Sequence, residues 1–188
     1  MTGRRALFLD RDGIINEDRG YVHRVEDFIF LEPIFEICRC MSDADFHLVV
    51  VTNQSGIARG YFDEAAFASL TQWMLEAFQD RDIEIAGVFH CPYHPEGVVE
   101  GLNRTSELRK PEPGMLLQAQ GELDLDLAAS VLLGDSERDV EAARRAGVPC
   151  RLLVAGDDDV HATAATCVVG SLREALDWLQ GALKDGRL

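Results

Sequence analysis

Short apolar runs, most of which break off at or beside a polar residue, constrain this chain of 188 residues more than any other feature. Ala6–Leu9, His47–Val51, Gly87–His90, Ser130–Leu133 and Arg151–Val154 are too short for core helices, and most are apolar on both faces. The stretches between them carry helical spacing. Pro33 opens a predicted helix to about Ser42. Asp63 is placed to cap one reaching about Asp80, with Phe67, Leu70, Met74 and Phe78 on its inner stripe. Further helices are expected from Pro113–Gly114 to Leu123, and from about Asp139 to Ala146, closed by Gly147. The last helix opens with a Ser171/Glu174 capping-box pattern. Strands alternating with helices imply a parallel sheet covered on both sides. The expectation is a single α/β domain over residues 1–188, a three-layer sandwich around a doubly wound, mainly parallel sheet. An extended loop falls at about 91–110, Cys167–Val169 is a candidate edge strand, Asp157–Asp159 a solvated acidic turn, and Lys184–Leu188 a frayed end.

The net charge of −15 argues against nucleic acid or an anionic membrane as partner, and any anion site needs its own local positive charge. No apolar run is long enough for a membrane span. Cys38, Cys40, Cys91, Cys150 and Cys167 are an odd, scattered set, read as free thiols in a reducing cytoplasm. A monomer is expected.

The polar residues at the run ends carry the functional signal. Asp10 and Asp12 follow the first run, with Gly13 behind them. Two carboxylates so close repel unless a cation lies between them, and hard Mg²⁺ suits oxygen ligands. Thr52 ends the second run, Lys110 lies in the loop after the third, and Asp135 ends the fourth. All five fall on the carboxyl edge of the predicted sheet, where open α/β folds bind ligands. The set combines acids for a metal, a hydroxyl and an ammonium for an anion, and a candidate nucleophile.

The motifs Asp10-x-Asp12-Gly13, Thr52, Lys110 and Gly134-Asp135-x-x-x-Asp139 resemble the four motifs of the haloacid dehalogenase phosphatase superfamily. Within it, the strings FLDRDGIIN, DRGYVH, VVVTNQSGIARGYF, CPYHPEG, RKPEPGM and LLGDSERD resemble the D-glycero-D-manno-heptose 1,7-bisphosphate 7-phosphatases, relatives of the histidinol-phosphate phosphatases. The resemblance spans about Ala6 to Val154. It implies removal of the 7-phosphate from a heptose bisphosphate, a step toward nucleotide-activated heptose for lipopolysaccharide core. Asp10 would be the nucleophile, Asp12 the general acid–base, and Thr52 and Lys110 the groups that hold the transferring oxygens. Mg²⁺ would bind Asp10, Asp135 and the main-chain carbonyl of Asp12, with Asp139 supporting the metal loop. Substrate contacts map to Asp18, Arg19, Gly20 and Tyr21, to Asn53, Gln54 and Ser55, and to Arg109, whose guanidinium suits the phosphate that is not removed. Ser136 is a weaker candidate.

One departure is visible. Many heptose phosphatases carry a zinc site of three cysteines and a histidine in the long loop. Here only Cys91 stands, with Tyr93, Ser106 and Leu108 at the other positions, so zinc is expected to be absent. Two other readings stay open: a phosphatase for histidinol phosphate or another sugar phosphate, and, from a different class, a phospho-receiver signalling module.

Overall fold

The computed structural model describes residues 3–155 and 163–188. Its strands are β1 (Arg5–Leu9), β2 (Phe46–Asn53), β3 (Ile85–Cys91), β4 (Val131–Gly134), β5 (Cys150–Val154) and β6 (Cys167–Val169). They form one parallel sheet in the order β3-β2-β1-β4-β5-β6. The helices are α1 (Pro33–Asp43), α2 (Glu64–Gln79), α3 (Gly114–Leu123), α4 (Glu137–Ala146) and α5 (Leu172–Lys184). Alternate strand residues point to opposite faces. Leu7, Leu9, Val50, Leu133 and Leu152 enter one apolar cluster with α1, α2 and α5. Phe8, Val49, Val51 and Leu132 enter the other with α3 and α4. Both faces are sealed, which is why the strands read as continuous apolar runs. Each fully buried Leu or Val contributes about 1.5–3 kcal/mol by burial.

The chain leaves β1 toward β2 and β3, then returns across β1 to build β4, β5 and β6 on its other side. The order reverses between β1 and β4. Loops leaving those two strands diverge there and open a crevice at the carboxyl edge.

Several elements differ from expectation. β2 runs on through Thr52 and Asn53, because these pair with His90 and Cys91 of a longer β3. α4 begins two residues early, since Ser136 donates to Asp139 Oδ2 from its backbone N–H (3.0 Å) and its hydroxyl (2.7 Å), fixing the first turn. At α5, Ser171 Oγ accepts from Glu174 N at 3.2 Å, but the Glu174 carboxylate accepts from Gly170 N at 2.9 Å instead of closing the box. The C-terminal end is not frayed. Arg187 N–H donates to Ala182 O, its guanidinium lies 5.2 Å over the Trp178 ring, and Leu188 packs against the first cluster. The acidic turn expected at Asp157–Asp159 lies outside the described residues. All five cysteines are free thiols. Among the described residues no helix is long and apolar enough to cross a membrane.

Candidate active site

Asp10, at the end of β1, and Asp135, at the end of β4, stand on the two sides of the strand-order reversal. Oxygens of Asp10, Asp135 and Asp139 lie within 4.8 Å of one another. Lys110 reaches them from the long loop, with Nζ 3.0 Å from Asp10 Oδ1 and 2.7 Å from Asp139 Oδ1, and it donates to Val51 O at 2.8 Å. Lys110 and Asp139 are both buried. Burial, then the charge of Asp139, push the Asp10 carboxyl well above its usual value, with Lys110 opposing. Asp135 is pushed up to about 7, first by burial and then by Asp139. Burial also works against a charged Asp139, but the Lys110 ammonium and the Ser136 donors outweigh it and hold that carboxyl low. Burial disfavours the Lys110 ammonium as well, and Asp10 and Asp139 overcome it. Asp139 is thus already partnered, while Asp10 and Asp135 are crowded acids. That donor set fits a hard divalent cation.

Asp12 is held by three neighbours. Arg11 Nη2 donates to both of its oxygens (3.0 and 2.9 Å), Asn16 Nδ2 donates to Oδ1 at 3.0 Å, and Gln54 Nε2 donates to Oδ2 at 3.1 Å. Arg11 is only 2% exposed; the same nitrogen donates to Val22 O, and the rings of Phe28 and Phe67 lie 6.0 Å from its guanidinium. The turn between these groups needs Gly13. Its φ is +87°, and a Cβ there would collide with the Asp135 carboxylate. Gln54 also donates to Thr52 Oγ1 at 2.8 Å, so one amide sets both the acid and the hydroxyl. Arg11 and Asn16 were not among the residues singled out from sequence. An arginine between two acids, with the apolar pair Ile14–Ile15 beginning three residues on, was the available signal.

These groups border a cavity of about 370 Å³, within the range of small-molecule pockets. Asp10, Asp12, Thr52, Lys110 and Asp135 all line it. So do Asp18, Gly20, Tyr21, Asn53, Gln54, Ser55 and Arg109. Arg19 is outside the lining: it is exposed and pairs with Glu17 at 2.9 Å. Asp18 Oδ1 accepts from Gly20 N, and Tyr21 follows in the left-handed region at φ +54°. A tyrosine held there stores about 1–3 kcal/mol of strain, and its ring is steadied by Tyr61 at 4.6 Å. Asn53 makes a reciprocal pair with the main chain of Lys110, donating to its carbonyl (3.1 Å) and accepting from its N–H (3.0 Å). Two amides expected to touch substrate, Asn53 and Gln54, thus make hydrogen bonds that position the lysine and the acid.

The long loop is packed. Tyr93 and Leu108 join the second apolar cluster, and Arg104 sits 4.0 Å over the Tyr93 ring. Cys91 is buried with its thiol directed at Tyr93 O, and burial pushes that thiol up. His90 pairs with Glu64, and His94 lies against Arg59. Among the described residues the close group of three or more metal-ligating side chains is Asp10, Asp135 and Asp139.

A family model described as HAD-hydrolase-like matches residues 107–175. The chain is 45% identical over 180 residues to the D-glycero-beta-D-manno-heptose-1,7-bisphosphate 7-phosphatase of Yersinia pestis, covering 96% of this chain and 92% of that protein. It is 47% identical over 178 residues to the D-glycero-alpha-D-manno-heptose-1,7-bisphosphate 7-phosphatase of Burkholderia mallei, covering 94% of each. The crystal structure of D,D-heptose 1,7-bisphosphate phosphatase from B. bronchiseptica, complexed with magnesium and phosphate, is similar at a TM-score of 0.77 with 30% identity, over 94% of this chain and 98% of that one.

Proposed function

As a member of the heptose-bisphosphate 7-phosphatases of the haloacid dehalogenase superfamily, the chain is a phosphoric monoester hydrolase, and we propose that it removes the 7-phosphate of D-glycero-D-manno-heptose 1,7-bisphosphate through an aspartyl-phosphate on Asp10. The observation that carries this reading is the convergence of Asp10, Asp12, Thr52, Lys110 and Asp135 on one cavity at the carboxyl edge of the sheet. Asp10 Oδ1 accepts from Arg11 N and faces Lys110, so Oδ2 is the oxygen assigned to attack phosphorus. As the bond from phosphorus to the sugar oxygen breaks, Asp12 gives that oxygen its proton. It then takes a proton from the water that attacks the aspartyl-phosphate, releasing phosphate and restoring Asp10. Such proton transfer contributes about 10²–10⁴-fold. Arg11, Asn16 and Gln54 hold Asp12 in place for both steps. Thr52 and Lys110 stabilise the transferring oxygens. Magnesium, when bound by Asp10, Asp135 and the Asp12 carbonyl, screens the anionic nucleophile from the anionic phosphate.

The proposal includes one domain acting as a monomer in the cytoplasm, with no nucleic acid or membrane partner, and a 91–110 loop that works without zinc. Phosphate release measured over heptose 1,7-bisphosphate, sugar monophosphates and histidinol phosphate with Mg²⁺ tests the assignment. The highest kcat/KM is expected for the heptose bisphosphate; a clear preference for histidinol phosphate would displace it.

A further inference from the structure

Arg109 and Arg138 line the same cavity from different elements, Arg109 from the long loop and Arg138 from the first turn of α4. Arg109 Nη1 is cut off from solvent and has no hydrogen-bond partner among the described residues. Arg138 is exposed and makes no ion pair among the described residues, whereas the nearby Arg59 is engaged by Glu96 at 3.2 Å and by the His94 ring. After burial, the charges of Arg138 and Arg59 are what disfavour the Arg109 guanidinium. Gathering unpaired cations at one cavity is unfavourable unless an anion lies between them, the mirror image of the carboxylates on the floor. In a chain of net charge −15, two guanidiniums at one pocket that are unpaired among the described residues are not a by-product of an overall basic surface.

The transferring phosphate belongs beside Asp10, Thr52 and Lys110, of which Thr52 and Lys110 are almost fully buried. Arg138 lines the cavity but is exposed, so it is open to a different part of a substrate from these buried groups. We propose that Arg138 is a second substrate-binding residue, closing with Arg109 on the phosphate that the reaction leaves in place. This rests on the bisphosphate reading above. Two forked guanidiniums offer the parallel N–H groups that a phosphate dianion accepts from, and a monophosphorylated sugar presents no such group at that end.

The test compares kcat/KM for a sugar bisphosphate and for the corresponding monophosphate in wild type, Arg138→Gln, Arg138→Lys and Arg109→Ala. Losing a hydrogen bond to a charged group at an exposed site is worth about tenfold. Arg138→Gln is expected to lower the bisphosphate-to-monophosphate ratio about tenfold, mainly through KM, with Arg138→Lys in between. Arg144→Gln, at the far end of α4, removes the same charge outside the cavity and is expected to leave the ratio alone. The double variant with Arg109→Ala is expected to lose less than the two single losses combined, since both act on one group. Equal losses on both substrates, or no loss on either, would overturn the role of Arg138 while leaving the bisphosphate reading standing. A wild-type enzyme with no preference for bisphosphates would overturn that reading and this inference together.

Discussion

The floor of the cavity and the loop beside it are held by opposite means. On the floor, charge does the positioning: Lys110 lies against Asp10 and Asp139 in a site almost closed to water, and Arg11 holds Asp12 from beneath. Beside it, the 91–110 loop rests on apolar side chains, with Tyr93 and Leu108 half-buried against the second cluster and Arg104 covering the Tyr93 ring. The difference teaches where the fold tolerates change. A buried ionic network fails sharply when one member is removed, because the partner charge stays buried. A packed loop degrades in proportion to the contact area lost.

The sharpest break comes from Asp10→Asn. The change is nearly isosteric, so the fold is expected to stay intact while turnover disappears. Near-wild-type kinetics on a purified sugar bisphosphate would rule out the nucleophile. Lys110→Met is expected to damage both properties, leaving Asp10 and Asp139 facing each other without their cation at a cost of about 3–5 kcal/mol. Urea midpoints measure it, and a loss under about 1 kcal/mol would show that water already screens the pair.

The floor also predicts a pH signature for metal-free protein. The Asp135 carboxyl in the fold sits at about 7, above its usual 3.8, so the fold binds a proton that the unfolded chain releases. That contribution is complete below about pH 4 and is lost as pH rises through about 7, a change of a few kcal/mol. Asp139, held low, acts in reverse and loses its contribution as pH falls below the usual carboxylate range. Thermal melts from about pH 4 to 7 should therefore show declining stability that Mg²⁺ restores at the upper end. A flat profile unaffected by Mg²⁺ would contradict the crowded-acid account.

The loop gives the smallest effect. Tyr93→Ala is expected to cost about 1–2 kcal/mol through lost packing and the lost Arg104 contact, with little change in kcat. Elemental analysis of protein purified without a metal-affinity tag is expected to find no stoichiometric zinc. The combination Tyr93→His, Ser106→Cys and Leu108→Cys, joined with the existing Cys91, is expected to bind about one zinc per chain. Zinc in the unaltered protein would show that the loop is metal-held after all.

The strand ends were readable in sequence because a buried parallel strand leaves an unmistakable trace, and polar residues that stop such a strand share its carboxyl edge. Asp10, Asp12, Thr52 and Asp135 needed nothing more, and Lys110 was reached through the length of the loop before it. What did not show was how polar side chains divide their hydrogen bonds once the chain folds. Asn53 and Gln54 look equally suited to a sugar hydroxyl, yet each meets groups far away in sequence, Lys110 and Asp12. Arg11 and Arg138 look like solvated charges, one being buried and the other turned to the cavity. Lys184–Leu188 reads as a frayed terminus, but Trp178 supplies a surface for Arg187 that local sequence does not reveal.

The reciprocal pair between Asn53 and Lys110 has a consequence for motion. A side chain on β2 occupies the Lys110 N–H and carbonyl much as a neighbouring strand would, which moors the inner end of the loop to the sheet. That end of the loop is therefore expected to part from the sheet rarely. The Lys110 amide proton becomes a local clock: it exchanges with solvent at the rate at which loop and strand part company, and a bound substrate should slow it.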